Sequence, residues 1–192
     1  MLRRAFLKLY VLTLPAFLGL PRLAQAEEDV PLAGARIFLE LSDEHGRTVH
    51  DTDFTGRWLL VFFGYRSCPD ICPTTLFEIA QLLKALGPKA EKIQPIVVSV
   101  DPDRDSAKQL REYVDSFDPR ILPLRGNADQ LAKTAKSFGI SYFKIPGTSP
   151  DSYTIAHSAF ITLVGPEGGI AGRFSADVNV DELTSKMKKL VG

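Results

Sequence analysis

Apolar positions change their period several times along this chain, and each change marks a new element. Trp58-Leu59-Leu60-Val61-Phe62-Phe63 is a continuous apolar run long enough for a strand buried on both faces, which predicts a central place in a sheet. From Pro73 the period becomes helical: Leu76, Ile79, Ala80, Leu82, Leu83 and Leu86 recur on one face, and Gly87-Pro88 ends the segment. Ile93 to Val100 is a second buried strand. A helix joining two such strands is a crossover and predicts a parallel β-α-β unit.

The flanking segments follow the same logic. Arg36 to Leu41 with Asp43-Glu44-His45-Gly46 reads as a strand and turn ahead of the unit. Beyond it, Asp105 is placed to cap a helix reaching about Phe117, with Leu110, Tyr113, Val114 and Phe117 as its apolar positions. Ile121 to Leu124 is a short strand, and Asp129 to Phe138 a helix preceded by Asn127 and closed by Gly139. Tyr142 to Ile145 and a Pro/Gly/Ser-rich loop, Pro146 to Ser152, feed a β-hairpin of Ala159 to Val164 and Ile170 to Phe174, turned at Gly165-Pro166-Glu167-Gly168-Gly169. Asn179 to Val191 ends the chain as an amphipathic helix. The order predicts an α/β, thioredoxin-like fold: a mixed central sheet with helices on both faces and an inserted β-hairpin.

The N-terminus stands apart from this pattern. Arg3, Arg4 and Lys8 precede the uncharged apolar run Leu9 to Leu20, and Ala24-Gln25-Ala26 forms an A-x-A site ahead of Glu27-Glu28-Asp29. Residues 1–26 read as a signal peptide cleaved after Ala26, with residues 27–192 as the folded domain. As a helix the apolar run spans about 18 Å against a hydrocarbon core of about 30 Å, so an uncleaved membrane anchor is the less favoured alternative. Arg3-Arg4-Ala5-Phe6-Leu7-Lys8 also resembles a twin-arginine export signal, although Leu2 stands where such signals usually carry Ser or Thr. Either route predicts export.

The whole chain has 192 residues, with 23 Lys and Arg against 23 Asp and Glu. Cleavage removes four cations and no acid, leaving 19 positive against 23 negative charges. A mildly acidic domain has nothing to neutralise a phosphate backbone, which argues against nucleic-acid binding. Function therefore rests on a site.

That site is predicted at Cys68-Pro69-Asp70-Ile71-Cys72-Pro73, where the chain passes from strand to helix. Cys68 and Cys72 are the only cysteines, and their spacing at a helix start can bring both sulfurs to one side of the first turn, for a disulfide or a shared metal. The helix N-terminus favours a thiolate there, and Pro73 suits a first turn that needs no N–H from it. An inert disulfide is the bland alternative, but so short a loop stabilises little through chain entropy. Among His45, His50 and His157, the last is the best third ligand: it follows the Pro146-to-Ser152 loop at the start of a strand, beside the helix N-terminus, whereas His45 and His50 flank a turn and face solvent. Two thiolates and an imidazole suit copper, with zinc as the competing ion. Tyr65, Ser67 and the segment Asp101-Pro102-Asp103-Arg104-Asp105 are expected around the site, the acids as loop and cap residues and Arg104 as their charge partner.

Gly64-Tyr65-Arg66-Ser67-Cys68-Pro69-Asp70-Ile71-Cys72-Pro73, Ser99-Val100-Asp101-Pro102-Asp103-Arg104-Asp105 and Ala156-His157-Ser158, followed by Gly165-Pro166-Glu167-Gly168, resemble the Sco/SenC family. The resemblance runs from about Arg36 to the C-terminal helix. It implies a thioredoxin-like fold and delivery of copper, as Cu(I) or Cu(II), to the binuclear copper centre of cytochrome c oxidase. It places the metal on Cys68, Cys72 and His157. It also implies the copper-bearing oxidase subunit and thioredoxin-like reductants as partners, in the bacterial periplasm or at the outer face of the inner membrane, where many members are tethered. One departure is Ala156, which stands where the family commonly has Asp.

Two functions follow from these residues. As a metallochaperone, the chain holds copper on the reduced cysteines and His157 and passes it on by ligand exchange. As a thiol-disulfide oxidoreductase it keeps cysteines of an apo-oxidase or another exported protein reduced, Cys68 attacking and Cys72 resolving. A thioredoxin-like peroxidase is disfavoured, because Asp70 opposes a thiolate at Cys68.

Overall fold

The apolar run at Trp58–Gly64 forms β3, and every residue from Leu59 to Gly64 is buried, so both faces of this strand are covered. The computed structural model describes residues 33–149 and 152–191; the predicted signal segment, residues 1–26, lies outside them. Helix α1 (Ile71–Leu86) follows, burying Leu76, Ile79, Leu82, Leu83 and Leu86, and Gly87 caps it at φ 56°. Strand β4 (Ile93–Ser99) then pairs in parallel with β3, from Trp58 opposite Ile93 to Gly64 opposite Ser99. Matching registers bring the C-terminal ends of both central strands to the same level.

Ahead of this unit, β1 (Glu40–Ser42) and β2 (Thr48–His50) form a small hairpin turned through Gly46. The strand expected from Arg36 is shorter than its apolar pattern: Arg36 makes only an isolated bridge to Gly169. Helix α2 (Ala107–Asp115) starts one residue later than an Asp105 cap predicts. Ser106 is the cap, accepting from the Gln109 N–H, because the Asp105 carboxylate turns inward. Strand β5 (Leu122–Leu124) pairs in parallel with β4, and α3 (Ala128–Ser137) begins on an Asn127 cap and stops before Gly139 at φ 56°.

Tyr142–Pro146 (β6) and Tyr153–His157 (β7) form a two-stranded antiparallel ribbon that pairs with no strand of the main sheet. The second strand of this ribbon is absent from the sequence expectation, and His157 ends it instead of opening the next strand. The predicted hairpin is β8 (Phe160–Val164) with β9 (Ile170–Ser175), and it completes the central sheet in the order β5-β4-β3-β8-β9. Helix α4 (Val180–Leu190) packs against α1. A mixed sheet carrying these helices is the thioredoxin-like arrangement. Among the described residues, no helix is long and apolar enough to cross a membrane.

Candidate metal centre

The pairing of β8 with β3 explains how two distant parts of the chain meet. The strands are antiparallel, with Phe62 opposite Ile161, so β8 begins where β3 ends. His157, four residues before Ile161, is thereby delivered to the strand-to-helix junction that carries the cysteines. Gly64 closes β3 and leaves room there: a Cβ on it would lie 3.1 Å from Cys72 Sγ and 2.7 Å from Phe62 Cε1. The chain then turns, Cys68 N–H donating to the Tyr65 carbonyl, and enters α1 with Cys72 in its first turn.

Cys68, Cys72 and His157 each present one ligand atom, and all three atoms lie within 4.8 Å of one another. Cys72 is buried, at 1% exposure, and Cys68 is half-buried; both are free thiols. Cys72 Sγ and His157 Nε2 are 3.6 Å apart. Metal–sulfur and metal–nitrogen bonds of about 2.3 and 2.0 Å at a tetrahedral angle would hold two such atoms about 3.5 Å apart, so these donors fit one ion with little movement. The structure thus brings together all three residues singled out in the sequence, while His45 and His50 are exposed and lie outside the cluster.

The imidazole is oriented to offer a lone pair. Its Nδ1 lies 3.1 Å from the Ser158 carbonyl, which can only accept, so Nδ1 carries the proton and Nε2 turns a lone pair toward the sulfurs. Burial pushes the ring's pKa below its usual value, outweighing the opposite pull of the Ser158 carbonyl, and keeps it neutral near pH 7. Phe62 and Tyr65 meet it edge-on, each with a 6.0 Å centroid separation. Tyr65 also holds the ribbon, its hydroxyl oxygen accepting from the Ile155 N–H at 3.2 Å.

The electrostatics of Cys72 differ from the expectation that a helix start favours its thiolate. Burial pushes this thiol well up, and the neighbouring Cys68 adds to the effect, while a contact with the Tyr65 backbone only partly offsets it. In this pocket desolvation outweighs the helix terminus. The metal-free site therefore holds Cys72 as a protonated thiol, and a cation entering must displace that proton.

Around these three residues, Asp101 and Asp105 are both fully buried. Asp105 accepts from Ser99 Oγ at 2.7 Å and from the Arg66 N–H at 3.2 Å. Asp101 accepts from the Tyr153 hydroxyl at 2.7 Å and from Arg104 Nε. The sequence reading named both acids and Arg104 as loop, cap and charge partners but missed Tyr153, whose only local signal is an aromatic at a strand start. Ala156 pairs with Phe143 on the ribbon's outward face, where Phe143 is 62% exposed.

A family model described as SCO1/SenC matches residues 35–192. The mitochondrial SCO2 homolog of Bos taurus is 34% identical over 151 residues, covering 78% of this chain and 57% of that protein; the chain thus spans little more than half the length of this curated relative. Among solved structures, Bradyrhizobium japonicum ScoI with copper bound is similar at a TM-score of 0.74 and 36% identity, over 80% of this chain and 98% of that one. BsSco, described as having a disulfide switch and as a member of the Sco family of cytochrome c oxidase assembly proteins, is similar at a TM-score of 0.64 and 25% identity, over 83% of this chain and 95% of that one.

Proposed function

The chain belongs to the SCO1/SenC family, and on that premise we propose that it is a copper metallochaperone whose ligands are Cys68, Cys72 and His157. One observation carries the reading: a neutral imidazole turns its free Nε2 onto a pair of reduced cysteines, one of them half-exposed. Soft sulfur donors with one imidazole favour copper, and the copper-bound relative supports the same choice. Copper is cargo here. Binding releases the Cys72 proton, and the half-exposed Cys68 is the ligand an acceptor thiolate can reach first, so transfer proceeds by stepwise ligand exchange. The acceptor we assign is the copper-bearing subunit of cytochrome c oxidase, in line with the role described for BsSco. Residues 1–26 would direct the domain, residues 27–192, out of the cytoplasm to the side where that subunit exposes its copper centre.

Thiol-disulfide exchange is the weaker reading. A resolving cysteine must ionise readily, and burial holds Cys72 protonated. The test is copper stoichiometry and absorption of the reduced protein beside Cys68→Ser and His157→Ala. One equivalent with a thiolate-to-copper band, lost or strongly shifted in both variants, supports the chaperone; no retained copper together with rapid disulfide exchange overturns it.

A further inference from the structure

Among the described residues the β6–β7 ribbon pairs only with itself, and a two-stranded ribbon is marginal alone. The register of β8 on β3 brings His157 to the junction, but the ribbon that ends on it needs a further restraint to hold its face against the cysteines. We propose that the segment Asp101–Asp105, which supplies no ligand, is the positioning element that holds the His157 ribbon in register with the Cys68–Cys72 loop. The inference rests on the reading that these three residues share an ion.

The segment has two arms. Toward the ribbon, Arg104 Nη1 donates to the Tyr153 carbonyl at 2.9 Å, and its guanidinium lies 3.7 Å from the centre of the Tyr153 ring. Asp101 takes the Tyr153 hydroxyl on Oδ1 and Arg104 on Oδ2, while Asp103 pairs with Lys144 of the opposite strand at 2.7 Å. Toward the cysteines, Asp105 accepts the N–H of Arg66, two residues before Cys68. Ser99, at the end of β4, anchors both arms: its hydroxyl oxygen accepts from the Asp101 N–H at 3.1 Å and its proton goes to Asp105. Tyr153 stands four residues before His157, about 13 Å along a strand, so it acts on the ligand through the ribbon and not by touching the ion. Burying two carboxylates in so short a segment is costly unless each is paired or hydrogen-bonded, and the partners that satisfy them belong to the two ligand-bearing pieces and to Ser99 and Arg104 beside them.

The test is a double-mutant cycle on the full chain. Asp101→Asn with Arg104→Met removes both charges together, so neither is left buried and unpaired, and Tyr153→Phe removes one hydrogen bond while keeping the ring. Cu(I) affinity is measured by competition with a chromophoric chelator, in the native and His157→Ala backgrounds. The charge-pair variant is expected to weaken binding about tenfold with His157 present and to change it little once His157 is gone, because a positioning residue loses its effect with the ligand it positions. Tyr153→Phe gives a smaller loss with the same pattern. Equal losses in both backgrounds, or none, overturn the inference. A metal-free arm separates it from the copper reading: the charge-pair variant should speed iodoacetamide alkylation of Cys72, against which His157 Nε2 stands at 3.6 Å, in buffer without denaturant, with thermal unfolding measured alongside to show that the variant is folded at the assay temperature. Unchanged alkylation overturns the positioning role; faster alkylation in a protein that retains no copper leaves positioning intact and removes the metal assignment.

Discussion

Gly64→Ala is the most informative small change in this molecule, because it adds one methyl group between the sheet and the candidate centre. The new Cβ would lie 2.7 Å from Phe62 Cε1 and 3.1 Å from Cys72 Sγ. Carbon atoms in contact normally stand about 3.5–4.0 Å apart, so the Phe62 ring must shift by about 1 Å. It has little freedom to do so: Phe62 is fully buried and its ring meets His157 edge-on. Overpacking of this kind costs about 1–3 kcal/mol, and a loss of about 2 kcal/mol lowers the Tm of a domain this size by roughly 4–8 °C. Gly172→Ala is the matched control. It makes the same chemical change in strand β9, where nothing lies within 4 Å of an added Cβ, so it should be neutral or stabilise by a few tenths of a kcal/mol. Thermal unfolding of the metal-free protein, followed by the fluorescence of its single tryptophan, Trp58, measures both. If Gly64→Ala melts with Gly172→Ala, the junction is not packed as described, and the argument that Gly64 makes room for the Cys72 sulfur fails.

Three further outcomes are expected. In the metal-free protein Cys68 should be alkylated at least about tenfold faster than Cys72, because Cys72 is buried and its thiol is pushed up; peptide mass spectrometry at pH 8 reads the two sites, and equal rates would contradict the burial. Arg120 forks onto Asp118 at 2.9 and 2.6 Å and holds its carboxyl below the usual 3.8. A folded-state pKa below the unfolded one stabilises the protein above pH 3.8 and loses that contribution as pH falls through the folded value, so the urea midpoints of wild type and Asp118→Asn should differ at pH 7 and converge at acid pH. Asn127→Ala removes the cap that accepts the Gln130 N–H at 2.9 Å and should cost about 1 kcal/mol in urea unfolding, with Asn127→Asp retaining most of it.

The central frame was legible from local pattern. Strands β3 and β4 are apolar runs whose length and composition suit burial on both faces, and α1 follows a 3.6-residue period that needs no knowledge of its neighbours. The caps at Asn127 and Gly139 were equally local, since each acts within a turn of itself. The ribbon strand β7 was not legible. It is five residues long, follows a Pro/Gly/Ser-rich loop and buries only Ile155 of its side chains, too short a signal to stand out, and what holds it is the Arg104 and Tyr65 side chains, distant in sequence, bonded to its backbone. The cap of α2 was misplaced for a related reason: Asp105 is a good capping residue, but Ser99 and the Arg66 N–H draw its carboxylate into the interior and leave the cap to Ser106.

The same division runs through the candidate centre. Two cysteines four apart at a helix start identify themselves, because a helix turn alone brings them to one side. His157 has no such local spacing to announce it, since it lies 85 residues from Cys72; its place after a loop and the family resemblance nominated it. The antiparallel register of β8 on β3 brings it there, and that register is a property of the assembled sheet. The protonation state of Cys72 also belongs to the fold. A helix N-terminus is visible in a sequence and favours a thiolate, but the depth to which a side chain is buried is decided by everything packed over it, and here burial is the larger effect. Residue types and short spacings determined which atoms could bind an ion; long-range packing determined that they meet, which nitrogen faces the sulfurs and what proton must leave first.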